Sequence, residues 1–286
     1  MINSKTSFLA LIGNPVSHSL SPIMQNAAIK YLGLNLVYLA FPCEDKNFIS
    51  TINTLKKINC KGLNITIPFK EKVLDLCSEI SPAAKKIKAI NTLKLNEKNE
   101  WNGTNTDIEG FIYPLNKYDL KEKKGIVLGS GGASRAAIQG LLELELSEIN
   151  VISRNNNTLK KILNDFPDII KGIIYDESSS VNNELIENAD IIVNSTPVGM
   201  ERITNEENLL PFGKDFWKAL SSKTIIYDLI YNPRPTELLK FGLKKNCIAI
   251  DGLEMLVAQG AKSLSYWTNG LEIPIEIMKE SLKNYL

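Results

Sequence analysis

Four short segments in the first part of the chain concentrate residues able to do chemistry. They are Gly13-Asn-Pro-Val-Ser17-His18-Ser19-Leu-Ser21-Pro22, Asn64-Ile-Thr66-Ile-Pro-Phe-Lys70, Ala89-Ile-Asn91-Thr92 and Asn102-Gly-Thr-Asn105-Thr-Asp107. Each is expected to set polar residues at the end of a strand or in the following turn, where α/β sheets place ligands. Hydroxyls, amides, one lysine and one aspartate suit a small polyhydroxylated acid and not an apolar ligand. A fifth segment, Gly129-Ser130-Gly131-Gly132-Ala133, stands between an apolar run and a helical one. That is the pattern of a turn that brings backbone N–H groups up to a pyrophosphate.

The elements that must position these residues alternate short apolar runs with helical stretches, an α/β signature. Strands are expected at Phe8–Ile12, Leu36–Phe41, Leu63–Ile67 and Ile90–Leu95. A helix between the first two has Ser21 as its expected N-cap, Pro22 in its first turn and Gly33 at its end. Met24, Ala27, Ala28, Tyr31 and Leu32 are its expected apolar face. Ser81-Pro82 opens another short helix. The polar stretch Tyr113–Lys124 marks a domain boundary. Beyond it, strands at Ile126–Leu128, Ile149–Ser153, Ile170–Tyr175, Asp190–Asn194, Thr224–Leu229 and Cys247–Ile250, with helices near Ala133–Leu144 and Thr158–Phe166, predict a doubly wound parallel sheet of Rossmann type. Helices over Gly252–Trp267 and Ile275–Leu286 have no strand after them and are expected to return to the first domain. The expectation is therefore a two-domain α/β chain, with residues 1–112 and 252–286 as the substrate-binding and catalytic domain and residues 113–251 as the nucleotide-binding domain.

Bulk properties narrow the function. With 33 Lys+Arg against 32 Asp+Glu, the chain lacks the basic excess of a nucleic-acid binder. No apolar run nears the ~20 residues that cross a bilayer, and an apolar strand begins at Phe8 without a signal segment. Cys43, Cys60, Cys77 and Cys247 have neither paired nor metal-ligand spacing, so reduced thiols in a cytoplasmic chain are expected. His18 is the one histidine, which argues against His-rich metal sites and a Ser-His-Asp hydrolase; no metal is expected. Monomer and homodimer both stay open.

The strand after the glycine turn ends in Ser153-Arg154-Asn155, without the carboxylate that usually holds NAD ribose hydroxyls. Arg154 can pair with a 2′-phosphate and stack on adenine, which favours NADP. Lys160 and Lys161 read mainly as solvated helix charges.

At this point the sequence resembles the shikimate dehydrogenase family. GNPVSHSLSP, GLNITIPFK, AINTL, NGTNTD, GSGGASRA, the strand end with Arg154, STPVGM (Ser195–Met200), YDLIYNP (Tyr227–Pro233) and DGLEMLVAQ (Asp251–Gln259) run in the family's order along the whole chain. The resemblance implies that Ser17 and Ser19 bind the substrate carboxylate. It implies that Asn64, Thr66 and Asn91 hold ring hydroxyls or the carboxylate, and that Gln259 and Tyr231 face the substrate. Lys70 and Asp107 become the catalytic pair, exchanging a proton with the oxygen that gains alkoxide character when hydride reaches a ketone. Gly129, Ser130, Gly131, Gly132, Ala133, Ser153 and Arg154 bind the cofactor, with Leu229 and Gly252 against its nicotinamide end. The implied reaction is NADPH-dependent, reversible reduction of 3-dehydroshikimate to shikimate, on the way to chorismate and the aromatic amino acids.

Two positions depart from the pattern. Thr158 stands where the family often has a second arginine, which weakens the case for strict NADP use, and Leu229 stands where methionine is common. The rival readings are a quinate/shikimate dehydrogenase using NAD or both cofactors, a non-catalytic shikimate-sensing module, and a two-domain NADP enzyme acting on folate or a thioester. Ser19 and Arg154 speak against the first. The presence of both Lys70 and Asp107 speaks against the second. The joint SHS and NTD motifs speak against the third.

Overall fold

The computed structural model describes residues 2–58, 60–176, 183–200 and 210–286. The chain forms two compact units, Met1–Gly110 with Leu256–Tyr285, and Phe111–Met255.

The first unit contains β1 (Ser7–Gly13), α1 (Ser21–Tyr31), β2 (Leu36–Pro42), α2 (Phe48–Lys57), β3 (Cys60–Ile65), β4 (Cys77–Ile80), α3 (Pro82–Ile87), β5 (Thr92–Leu95), β6 (Trp101–Thr104) and the start of α4 (Asp107–Ile112). Its sheet runs β2-β1-β3-β5-β6-β4. Strands β2, β1 and β3 are parallel, and β5 joins β3 and β6 antiparallel. Ala10, Ile12, Leu63, Ile65 and Leu93 pack with Phe48, Ile52 and Phe69 into the core. Burying each such side chain contributes roughly 1.5–3 kcal/mol.

Three details differ from the sequence reading. Ser21 is the first helical residue and caps nothing; Ser19 Oγ instead accepts the Ser21 N–H at 3.2 Å. The buried face of α1 is Met24, Gln25, Ala28 and Ile29, and Tyr31 is 65% exposed. Strands β4 and β6 carried no apolar run to announce them. Gly33 does end α1, with φ +63°, and Ser81 does cap α3, accepting the Ala84 N–H.

The second unit holds β7 (Lys124–Leu128), α5 (Gly132–Glu143), β8 (Glu148–Ser153), α6 (Asn156–Asp165), β9 (Ile170–Ile174), α7 (Asn183–Glu187), β10 (Ile191–Asn194), α8 (Gly213–Phe216), β11 (Ile225–Asp228), α9 (Glu237–Lys244) and β12 (Ile248–Ile250). The order β12-β11-β10-β7-β8-β9, all parallel, is doubly wound about β7 and β10. Strands buried on both faces must be apolar throughout, which explains Ile126-Val127-Leu128 and Ile191-Ile192-Val193.

Helix α10 (Leu253–Trp267) begins in the second unit and continues in the first, followed by α11 (Ile275–Glu280), which packs on α1. Gly260 lets α10 approach α1: a Cβ there would lie 2.4 Å from Met24 Cε. No helix among the described residues is long and apolar enough to cross a membrane.

Candidate active site

In the first unit the turn after β3 carries Lys70. Phe69, buried and stacked on Phe48 at 4.2 Å, anchors that turn, and the Lys70 carbonyl accepts the Ile90 N–H at 2.8 Å. Asp107 opens α4 after β6. Lys70 Nζ donates to Asp107 Oδ2 at 2.6 Å, with side-chain exposures of 14% and 8%. Two charges so withdrawn from water need each other, since either alone would face an uncompensated desolvation cost. The second carboxylate oxygen, Oδ1, accepts Asn91 Nδ2 at 2.8 Å. Asp107 also donates its own N–H to Asn105 Oδ1, whose amide nitrogen holds the Ala89 carbonyl. The structure therefore brings Lys70, Asn91 and Asp107 into one chain of contacts.

Gln259, on α10, joins them with Oε1 3.5 Å from Asn91 Nδ2. Asn64 lies one layer in. Its Nδ2 faces the Asn91 carbonyl, Thr92 Oγ1 and Ser263 Oγ, and its Oδ1 accepts Tyr38 O–H at 2.7 Å. Its amide nitrogen is thus wholly engaged with the protein, leaving one Oδ1 lone pair for other work. Thr66 ties its N–H to the Ile12 carbonyl and sets its methyl against Gly13. That places it at the root of the loop bearing Ser17, which is exposed, and Ser19, which is half-buried. Sequence reasoning missed Tyr38, Thr92, Thr106 and Ser263 as members of this cluster. One signal was available: Ser263 lies one helical turn after Gln259.

In the second unit the chain leaves β7 at Gly129, whose φ of +106° favours glycine, and enters α5 at Gly132. A Cβ on Gly131 would meet only open space, so a ligand can approach its backbone closely. Ser134 Oγ accepts the Gly131 N–H, leaving the N–H groups at the start of α5 as donors beside Gly132 and Ala133. Ser130 Oγ bonds Ser153 Oγ at 2.7 Å and Thr158 Oγ1 at 2.5 Å, joining the glycine turn to the end of β8. Arg154 is exposed beside them. Asn155 caps α6, accepting the N–H groups of Asn157 and Thr158. This cradle fits a dinucleotide with a charged group near Arg154.

Leu229 follows β11 with its N–H on the Asn194 carbonyl, and Tyr231 lies further along the same loop. Gly252 donates to the Ile230 carbonyl, and a Cβ there would sit 2.1 Å from the Leu229 carbonyl oxygen, so only glycine fits. Beneath the loop, Asp228 is fully buried and accepts from Asn194 Nδ2, Ile230 N–H and Thr236 Oγ1. Burial pushes its carboxyl up to about 6, against the pull of those donors.

A doubly wound sheet with a glycine-turn nucleotide cradle, joined in sequence to an α/β unit holding a buried Lys–Asp pair, defines the class of two-unit α/β dehydrogenases. Comparison with known proteins narrows the class. Residues 11–93 match the model of the shikimate dehydrogenase substrate binding domain, residues 114–254 that of shikimate / quinate 5-dehydrogenase, and residues 252–283 that of the shikimate 5'-dehydrogenase C-terminal domain. Shikimate dehydrogenase (NADP(+)) of Prochlorococcus marinus (strain MIT 9312) is 64% identical over 288 residues, covering 100% of both chains. The crystal structure of shikimate dehydrogenase from Aquifex aeolicus superposes with a TM-score of 0.88 at 34% identity, covering 99% of this chain and 100% of that one. The enzyme from Thermus thermophilus, solved in complex with NADP(H) and shikimate, gives 0.82 at 28% identity, covering 98% and 100%. The chain belongs to the shikimate dehydrogenase family.

Proposed function

We propose that this protein catalyses the reversible, NADPH-dependent reduction of 3-dehydroshikimate to shikimate, a step in the synthesis of chorismate and the aromatic amino acids. The observation that carries the reading is the Lys70–Asp107 contact at 2.6 Å, largely shielded from water, beside amides and hydroxyls suited to a polyhydroxylated acid. The NADP(+) in the names of similar enzymes and Arg154 just after β8 support the choice of dinucleotide.

NADPH, when bound, supplies the hydride that reaches the ketone carbon. Residues 129–133 would hold its pyrophosphate on backbone N–H groups, with Ser130 and Ser153 supporting the turn. Arg154 would pair with the 2′-phosphate. Leu229 and Gly252 would lie against its nicotinamide end.

Ser17 and Ser19 hold the substrate carboxylate through neutral hydroxyls. Thr66, Asn64 through its Oδ1, Asn91, Gln259 and Tyr231 orient the ring. The Lys70–Asp107 pair gives a proton to the carbonyl oxygen as charge develops there, and solvent later restores it. In the oxidative direction the same pair accepts the hydroxyl proton. The partners are these two small molecules, without nucleic acid or membrane, in the cytoplasm.

The test is absorbance at 340 nm with shikimate or quinate and NADP⁺ or NAD⁺. Fast turnover of shikimate with NADP⁺ supports the reading. Equal or better turnover of quinate or NAD⁺ moves it to the broader quinate/shikimate enzyme, and no turnover with any pair removes the enzymatic reading.

A further inference from the structure

Ser263 lies outside the motifs, yet its hydroxyl is the meeting point of the polar cluster behind Lys70 and Asp107. It is fully buried on α10. Its Oγ is 3.0 Å from Asn64 Nδ2, 2.9 Å from Thr92 Oγ1, 3.0 Å from Thr106 Oγ1 and 3.0 Å from the Gln259 carbonyl. A hydroxyl has one hydrogen and two lone pairs, so the proton directions can be worked out.

Asp107 Oδ1 can only accept, so the Asn91 atom facing it at 2.8 Å is Nδ2. The opposite side of that amide, Oδ1, already accepts the Thr106 N–H at 2.8 Å and Thr92 Oγ1 at 2.9 Å. The second Nδ2 hydrogen goes to Thr106 Oγ1 at 2.9 Å. Thr106 then sends its own hydrogen to an acceptor, and Ser263 Oγ at 3.0 Å is nearer than Asn91 Oδ1 at 3.3 Å or Thr92 Oγ1 at 3.4 Å. Ser263 takes hydrogens from Thr106 and Asn64 and passes its own to the Gln259 carbonyl. The Asn91 amide thus donates to Asp107 on one side and to Thr106 on the other, and Thr106 donates on to Ser263 on a different element of the fold.

We infer that Ser263 is a positioning residue for the reaction: by accepting from Thr106 it turns a Thr106 Oγ1 lone pair toward Asn91 Nδ2 and so, together with the Thr106 N–H on Asn91 Oδ1, holds the amide in the orientation that donates to Asp107. This rests on the reading of Lys70 and Asp107 as the catalytic pair. Ser263 touches neither of them and acts through Thr106 and Asn91. A fixed carboxylate keeps the Lys70 ammonium aimed at one point, and small errors in such aim are costly to rate.

The experiment is steady-state kinetics on the full chain with shikimate and NADP⁺, for wild type, Ser263→Ala, Thr106→Val, Thr106→Ser, the Ser263→Ala/Thr106→Val double variant, and Ser263→Ala in an Asn91→Ala background. Thermal melts establish the folded fraction of each. Ser263→Ala is expected to lower kcat roughly tenfold, with KM for NADP⁺ unchanged. Thr106→Val should match it, Thr106→Ser should keep wild-type kcat, and the double variant should be no slower than either single one. In the Asn91→Ala background Ser263→Ala should change nothing further.

Wild-type kcat in Ser263→Ala overturns the proposal. So do defects that multiply in either combination, or a loss that disappears when rates are corrected for folded fraction. An inactive wild type removes the functional reading and this proposal with it, whereas an active wild type with an indifferent Ser263→Ala removes only the proposal.

Discussion

Lys70 and Asp107 are 37 positions apart in the chain, yet Nζ and Oδ2 meet at 2.6 Å in a place where both side chains are largely shielded from water. Two separate turns make that contact, one after β3 and one after β6, and these strands are joined through β5. The pair is thus held by the sheet itself.

Replacing Lys70 with alanine removes the ammonium and leaves a shielded carboxylate on Asn91 alone. The expected outcome is a loss of kcat of about 10²–10⁴-fold, the usual contribution of a positioned acid–base group. Shikimate binding, measured by calorimetry, should persist because Asn91, Gln259 and the hydroxyl ligands remain. A variant with near-normal kcat would show that the pair is structural.

Arg154→Ala tests the cofactor assignment. A charge-assisted hydrogen bond to phosphate contributes roughly 1.5–3 kcal/mol, so KM for NADP⁺ should rise on the order of ten- to a hundredfold. KM for NAD⁺, which has no 2′-phosphate, should stay within about twofold on the same argument. Equal changes for both dinucleotides would place Arg154 elsewhere than at the 2′-phosphate.

Asp228 gives a pH dependence with a definite sign. Its carboxyl stands at about 6 in the folded chain against an ordinary 3.8. Below pH 3.8 both states are protonated, and above about 6 both are ionised. Between these values the folded state binds the extra proton, so this group's contribution to stability falls as pH rises. The size is roughly 3 kcal/mol, from a shift of about two units at 1.36 kcal/mol each. Asp228→Asn cannot titrate, so its stability deficit relative to wild type should shrink between pH 4 and pH 7. Urea midpoints for both proteins at the two pH values check this, and a deficit that widens would contradict it.

Gly252→Ala would set a Cβ 2.1 Å from the Leu229 carbonyl oxygen, a backbone atom with little room to yield. Overpacking of this kind costs typically 1–3 kcal/mol. The melting temperature should drop by several degrees, at ~2–4 °C per kcal/mol for a chain of this size. Because the displaced segment leads into Tyr231, kcat/KM should fall as well. An unchanged melting temperature would mean that the loop after β11 moves freely.

Most of the second unit was legible from the sequence because a parallel sheet covered on both faces demands unbroken apolar runs between helices. Ile126–Leu128, Ile191–Val193 and Ile225–Ile226 could be little else. The glycine turn and Arg154 were legible for a related reason: a backbone that must approach a ligand leaves its mark in residue type. Lys70, Asn91 and Asp107 could be picked out as motif residues at or beside strand ends. Strands β4 and β6 could not, since Cys77–Ile80 and Trp101–Thr104 are short and mix polar with apolar residues. The buried face of α1 was misjudged because periodicity does not say which side a neighbour will cover. There α10 and α11 cover it, and Gln25 Nε2 reaches the Gly260 carbonyl 235 positions away.

The site divides the same way. By itself the sequence determined which residues carry charge, amide and hydroxyl groups, and which glycines open a turn, because those properties belong to a residue and its immediate neighbours. The tertiary structure decided that Asn91 donates to Asp107, that Asn64 turns its amide nitrogen inward, and that Ser19 rather than Ser21 holds the start of α1. It also joined Ser263 to Thr106 and Asn64 across 157 and 199 positions of chain. Hydrogen-bond direction depends on what stands opposite each lone pair, and only packing brings such distant residues face to face.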